Sequence, residues 1–254
     1  MDRPAAPLLE VRGVSKHFGG IAALDGLSLT LEEAELKCVI GPNGCGKTTL
    51  FNVVTGAFAP GAGEVRFCGN DITGHSPHRI GRLGVSRKFQ VPGIYPSLSV
   101  VENLEVALVR SSASGNPFGL LRGRSSTATL GEMLRRFGLV DKAGLPAGSL
   151  SHGEKQWLEM AMLVAGDARL ILLDEPTAGM TVEETEATAR LIKTIQSERS
   201  LTVLVIEHDM DFVRELACPV IVMIRGAILC EGSYAQIQRN PEVREAYLGE
   251  VTTC

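Results

Sequence analysis

The nine residues Gly41-Pro42-Asn43-Gly44-Cys45-Gly46-Lys47-Thr48-Thr49 fill the pattern G-x-x-x-x-G-K-[ST]. Glycines let successive backbone N–H groups converge on phosphate oxygens, and a helix starting at Lys47 would turn the positive end of its dipole on the same charge. Lys47 would then reach the β and γ phosphates of a nucleoside triphosphate, and the Thr48 hydroxyl would ligate Mg²⁺. The bland alternative is a glycine turn before a helix. It is disfavoured because an apolar run, Leu36 to Ile40, precedes the loop and a helical pattern, Lys47 to Thr55, follows it. Cys45 lies inside the loop, where a helix N-terminus and Lys47 both favour thiolate; it reads equally as a reactive thiol or as a buried, inert small residue.

A second constellation lies at Leu170-Ile171-Leu172-Leu173-Asp174-Glu175, an apolar strand delivering two carboxylates at its C-terminal end. Open α/β sheets place ligands at such ends. Asp174 is suited to hold Mg²⁺, and Glu175 to orient or deprotonate an attacking water. A solvated Asp-Glu turn is the bland alternative, and the phosphate loop argues against it.

The elements that must carry these groups are legible in outline. Leu8 to Leu31 reads as strands with tight glycine turns, followed by a strand pair about Val65 to Cys68. Pro92, Gly93 and Pro96 break the pattern, and Val100 to Val109 resumes at helical spacing. Residues 111–129 are rich in Ser, Gly and Thr and read as a mobile surface loop. Leu130 to Leu139 and Glu154 to Ala165 are helical by pattern, the latter opened by Ser151 with Glu154 three residues on as a capping box. A helix from Glu183 to Ser197, a strand from Thr202 to Ile206 and a closing strand pair about Gly226 complete the chain. No internal repeat is visible, which argues against a tandem double unit.

Composition limits the alternatives. A length of 254 residues with 44% hydrophobic content suits one large α/β domain, and a net charge of −4 with pI near 5.8 argues against a surface built for nucleic acid or anionic lipid. Met1 to Arg12 has no secretory pattern, and no apolar run approaches the roughly 20 residues of a membrane-spanning helix. The cysteines at 38, 45, 68, 218, 230 and 254 form no C-x-x-C pair and are expected to be reduced thiols. His75 and His78 read as solvated loop residues.

Leu150-Ser151-His152-Gly153-Glu154, with Ser151 lying 23 residues before Asp174, resembles the signature sequence of ATP-binding cassette proteins. The resemblance runs from Leu8 to Gly249 with the motifs in family order. It implies an α/β P-loop NTPase core with an antiparallel β subdomain and an inserted α-helical subdomain: residues 8–249 as one ATPase domain, with 8–91 and 166–249 as the nucleotide-binding core and 92–165 as the helical signature unit. It further implies that Phe18 stacks on adenine, that Gln90 contacts Mg²⁺ and the water, that His208 contacts the γ phosphate, and that Ser151 and Gly153 close over a nucleotide held by a second cassette. ATP and Mg²⁺ are the implied cofactors. Three positions depart from the commonest pattern: His152 replaces a glycine, Glu154 a glutamine, and Thr181 an aspartate.

Two rivals are weaker. Asp71-Ile72-Thr73-Gly74 supplies the D-x-x-G of a P-loop GTPase, but no guanine-reading N-K-x-D follows. Cassette ATPases of translation or DNA repair resemble tandem cassettes or carry long coiled coils, and neither pattern occurs here. The segments Arg87-Lys88-Phe89-Gln90, Glu207-His208-Asp209-Met210 and Asn240 to Gly249 are similar to the branched-chain amino-acid importer group. Within that group, 151–159, 178–181 and 229–232 look most like its urea-transporting branch, so urea is the expected solute and a branched-chain amino acid the alternative. The implied partners are two membrane permeases, a second cassette that is a paralogue or a second copy, and, indirectly, an extracytoplasmic solute-binding protein, with no nucleic acid. The implied location is cytoplasmic, peripheral on the inner face of the cell membrane.

Overall fold

The computed structural model of the chain describes residues 6–88, 93–112, 123–166 and 168–248. Gln90, expected to touch Mg²⁺ and water, lies outside the described residues.

Two long strands, β1 (Leu9–Phe18) and β2 (Ile21–Leu31), form an antiparallel hairpin whose tight turn at Gly19-Gly20 leaves Phe18 opposite Ile21. Strand β3 (Leu36–Ile40) is buried at every position and runs into the glycine loop and helix α1 (Lys47–Val54). Then β4 (Ala62–Phe67) pairs with β1, and the short β5 (Asn70–Asp71) closes this sheet in the order β2-β1-β4-β5. The D-x-x-G motif is consumed here. Asp71 accepts from Thr73 N at 2.9 Å and the Thr73 hydroxyl accepts from Val65 N at 2.9 Å, a local Asx-type turn.

Helix α2 (Pro77–Arg82) starts with proline at its first turn, where the missing N–H costs nothing, and leads to β6 (Val85–Lys88). Helices α3 (Val100–Ser112), α4 (Gly123–Arg136) and α5 (His152–Ala165) follow. Of the loop expected over 111–129, residues 113–122 lie outside the described residues, and α3 at 111–112 and α4 at 123–129 correct the rest. Leu130, Met133, Leu134 and Phe137 bury one apolar stripe, and the helix extends N-terminally from that anchor through a polar stretch lacking the apolar period.

The remainder is β7 (Leu170–Asp174), α6 (Val182–Arg199), β8 (Thr202–Ile206), α7 (Met210–Leu216), β9 (Val220–Ile224), β10 (Ala227–Gly232), α8 (Tyr234–Arg239) and α9 (Pro241–Leu248). The second sheet runs β10-β9-β3-β8-β7-β6, parallel from β9 to β6.

Side chains alternate across this sheet. Cys38, Ile40, Ile171, Leu173, Val203 and Val205 pack with the helical segment, whereas Val39, Leu170, Leu172, Leu204 and Ile206 pack with α1 and the antiparallel sheet. Burial on both faces explains the unbroken apolar runs. The register aligns the strand ends, with Asp174 opposite Ile206, Ile206 opposite Val39, and Lys88 opposite Leu173. The glycine loop, the Asp174-Glu175 pair and the Glu207-His208 pair therefore leave the sheet along one edge. Among the described residues, no helix is long and apolar enough to cross a membrane.

Candidate nucleotide site

The phosphate loop is shaped by what surrounds it. A Cβ on Gly41 would lie 2.2 Å from Met223 O and one on Gly46 would lie 2.2 Å from Ala23 O, and both residues have positive φ, 156° and 106°. Only glycine lets the loop pass this close to β9 on one side and β2 on the other. Gly46 caps α1 without a side chain, so the first turn's N–H groups meet no capping oxygen from it. Asn43, Gly44 and Thr48 are exposed on the loop, Pro42 and Thr49 half-buried. Lys47 is buried, its Nζ donating to Gly41 O at 2.6 Å and Pro42 O at 2.9 Å. The ammonium is thus held within the loop that would receive phosphates.

Cys45 takes the second of its two readings. Burial raises its thiol above the ordinary value and outweighs the lowering effect of Lys47, whose Nζ lies 3.8 Å from the sulfur. It is a packed thiol between Gly41 and the turn at Gly226, whose N–H donates to Cys45 O at 2.9 Å.

Asp174 is almost fully buried, and its Oδ2 accepts from Arg87 Nη2 at 2.7 Å. Arg87 Nη1 donates to Asn52 Oδ1 at 2.6 Å and its guanidinium lies 5.4 Å from the Phe51 ring centre. One arginine therefore fastens the end of β7 to the helix that follows the phosphate loop. Among the described residues, Asp174 Oδ1 has no hydrogen-bond partner. A buried carboxylate oxygen left over in this way, tied through Arg87 to the helix that follows the phosphate loop, fits a hard cation that brings its own waters, so the residues present suit Mg²⁺.

Glu175 follows in the left-handed region, φ 47°, with its N–H donating to Ile206 O at 2.9 Å. A non-glycine residue held there is strained, a condition concentrated at functional sites. His208 Nδ1 stands 3.6 Å from Glu175 Oε1. Sequence reasoning missed Glu207, which is buried and accepts from the Thr177 hydroxyl at 2.6 Å and from His208 N at 2.9 Å. It fastens the β8 end to the turn after Glu175. Lys88 was also missed. Burial lowers its ammonium, and Glu159, Asp174, Glu207 and Glu175 oppose that effect. The available signal was a pair of cations ending one strand beside two carboxylates ending the next.

Phe18 is 45% exposed, with the Phe58 ring packed edge-on at 5.3 Å and 71°, and Lys16 Nζ lies 5.4 Å from its centre. The aromatic is braced at its edge. Ser151 caps α5 in a full capping box with Glu154, which also pairs with Lys142. Gly153 is buried. Among the described residues no hydrogen bond joins 151–153 to the phosphate loop, whereas Phe18's hairpin reaches it through Ala23.

The sequence profile for ABC transporters matches residues 24–178, more than half of the chain, including the phosphate loop, the Ser151 signature and the Asp174-Glu175 pair. The chain belongs to the ATP-binding cassette transporter family. A profile for the branched-chain amino acid ATP-binding cassette transporter matches residues 227–252. The high-affinity branched-chain amino acid transport ATP-binding protein BraF of Pseudomonas aeruginosa is 39% identical over 251 residues, covering 96% of this chain and 98% of that protein. LivG of Escherichia coli, of the same description, is 36% identical over the same shares. A solved nucleotide-free ATP-binding cassette from an ABC transporter superposes with TM-score 0.82 at 28% identity, covering 95% of this chain and 99% of the other. This cassette is therefore an ABC transporter ATPase subunit of the branched-chain amino acid type, with ATP hydrolysis coupled to transport.

Proposed function

We propose that this cassette powers import of a branched-chain amino acid. The observation that carries the proposal is full-length similarity to BraF and LivG, together with the C-terminal match over 227–252. Urea was the solute expected from segments 151–159, 178–181 and 229–232; the relatives described above support the alternative instead. The solute is bound elsewhere in such a machine, so no pocket of this chain reads it.

In the proposed mechanism the N–H groups of 43–49 and the Lys47 ammonium cradle the ATP phosphates, while Phe18 stacks on the adenine. Thr48, Asp174 and Gln90 would hold Mg²⁺, which would offset phosphate charge. Glu175 accepts a proton from water as its oxygen attacks the γ phosphorus and the bond to the ADP oxygen breaks. His208, beside Glu175, donates to the γ phosphate. Residues 8–91 and 166–249 act as the nucleotide core, and 92–165 as the unit carrying Ser151 and Gly153 to the nucleotide of a second cassette. ABC ATPase subunits dimerise and work with membrane permeases; here the partners are two permeases at the inner membrane face and, indirectly, an extracytoplasmic binding protein. Uptake of labelled leucine and labelled urea in cells carrying intact or Lys47→Ala protein tests the solute. Loss of leucine uptake alone supports the proposal, and loss of urea uptake with leucine intact overturns it.

A further inference from the structure

Of the three departures from the commonest family pattern, His152 sits against the turn 178–181 that ends at a second departure, Thr181. His152 is the first residue of α5, and its Nε2 lies 2.9 Å from Ala178 O. That carbonyl requires a protonated Nε2. The Gln156 amide nitrogen lies 3.2 Å from the same nitrogen, and its Oε1 is buried with no partner among the described residues; turning the amide over lets it accept from the same N–H. The ring also covers Gly179, where a Cβ would come within 3.3 Å of Nε2.

The next residue repeats the contact one row inward. A Cβ on Gly153 would lie 2.4 Å from Glu184 Oε1, and that carboxylate accepts from Thr181 N at 2.9 Å in the capping box that starts α6. One turn further, Trp157 Nε1 donates to Thr188 Oγ1 at 2.9 Å. Residues 152, 153, 156 and 157 thus form one face of α5, seated on the turn 178–181 and the start of α6.

That turn is continuous with Glu175. Ala178 N donates to Glu175 O at 3.2 Å, and Thr177 is fixed by buried Glu207. The chain of contacts therefore runs from the α5 N-terminus through His152 and Ala178 to the backbone of Glu175. We infer that His152 is a positioning residue: it clasps the signature end of α5 to the Glu175 turn, so that seating of Ser151 and Gly153 on a nucleotide sets the carboxylate that activates water. This rests on the role proposed above for Glu175. The His152 bond is at the surface, and covering it by a second cassette removes competing water and strengthens it. The coupling is thereby greatest in the closed assembly, where hydrolysis occurs.

The test compares His152→Ala and His152→Gln with the unchanged protein, in the assembled transporter for turnover and in the isolated chain for stability and exchange. Glutamine places an N–H donor at a similar reach. His152→Ala is expected to lower kcat roughly three- to tenfold, with ATP affinity and melting temperature unchanged, and to speed hydrogen exchange at amides 175–181 more than elsewhere. His152→Gln restores kcat and protection. Unchanged kcat and unchanged exchange in His152→Ala would overturn the clasp, as would equal losses of affinity and stability in both variants. Glu175→Gln runs alongside. If it hydrolyses ATP at the unmodified rate, the role of Glu175 fails, and the exchange arm still decides whether the clasp exists.

Discussion

The two ends of this site are held by different means. At the sheet edge, Asp174, Arg87, Glu207 and Lys47 are buried and tied by hydrogen bonds or ion pairs of 2.6 to 2.9 Å to neighbouring elements. At the signature end, Ser151 and His152 are exposed and depend on a capping box and one surface bond to the adjoining turn. Buried charge demands a fixed partner, whereas a helix start capped in water can move as a unit. The sheet edge is preorganised by buried partners, and the outermost residues of the signature end are held at the surface.

If that contrast holds, damage at the sheet edge costs stability. Arg87→Gln leaves buried Asp174 without its counter-charge and is expected to destabilise the fold by about 3–5 kcal/mol, measured by urea denaturation. A change below 1 kcal/mol would mean that Asp174 does not need its arginine. Lys47→Ala removes a charged donor from the phosphates and should weaken ATP binding by roughly 1.5–3 kcal/mol, read by nucleotide fluorescence at matched stability. Unchanged affinity would remove the phosphate loop from the mechanism. At the signature end, Ser151→Ala loses the cap of α5 and should cost only about 1 kcal/mol of stability. A loss as large as that of Arg87→Gln would erase the difference between the two ends.

Much of the sheet edge was legible from sequence because its signals are local. G-x-x-x-x-G-K-[ST] and an apolar run ending in Asp-Glu each specify a strand end and its chemistry within a few residues. The capping box at Ser151 was legible for the same reason. Arg87, Glu207 and Lys88 were not, because their meaning arises only when β6, β7 and β8 align in register. Cys45 stayed open between a reactive and an inert thiol because neighbours in sequence revealed Lys47 but not the burial between Gly41 and Gly226. Helix α4 was hidden in 111–129 because only its last turns carry an apolar stripe. The departures at His152 and Thr181 were visible as departures, and the contact of His152 with Ala178, 26 residues on, needed the fold.

The account turns on Glu175 as the group that activates water in a site already formed around ATP. Glu175→Gln keeps the shape and removes the base, so single-turnover hydrolysis of Mg-ATP, with binding measured on the same sample, isolates that step. The account predicts unaltered ATP affinity and a hydrolysis rate lower by roughly 10²–10⁴-fold. Hydrolysis at the unmodified rate would contradict it.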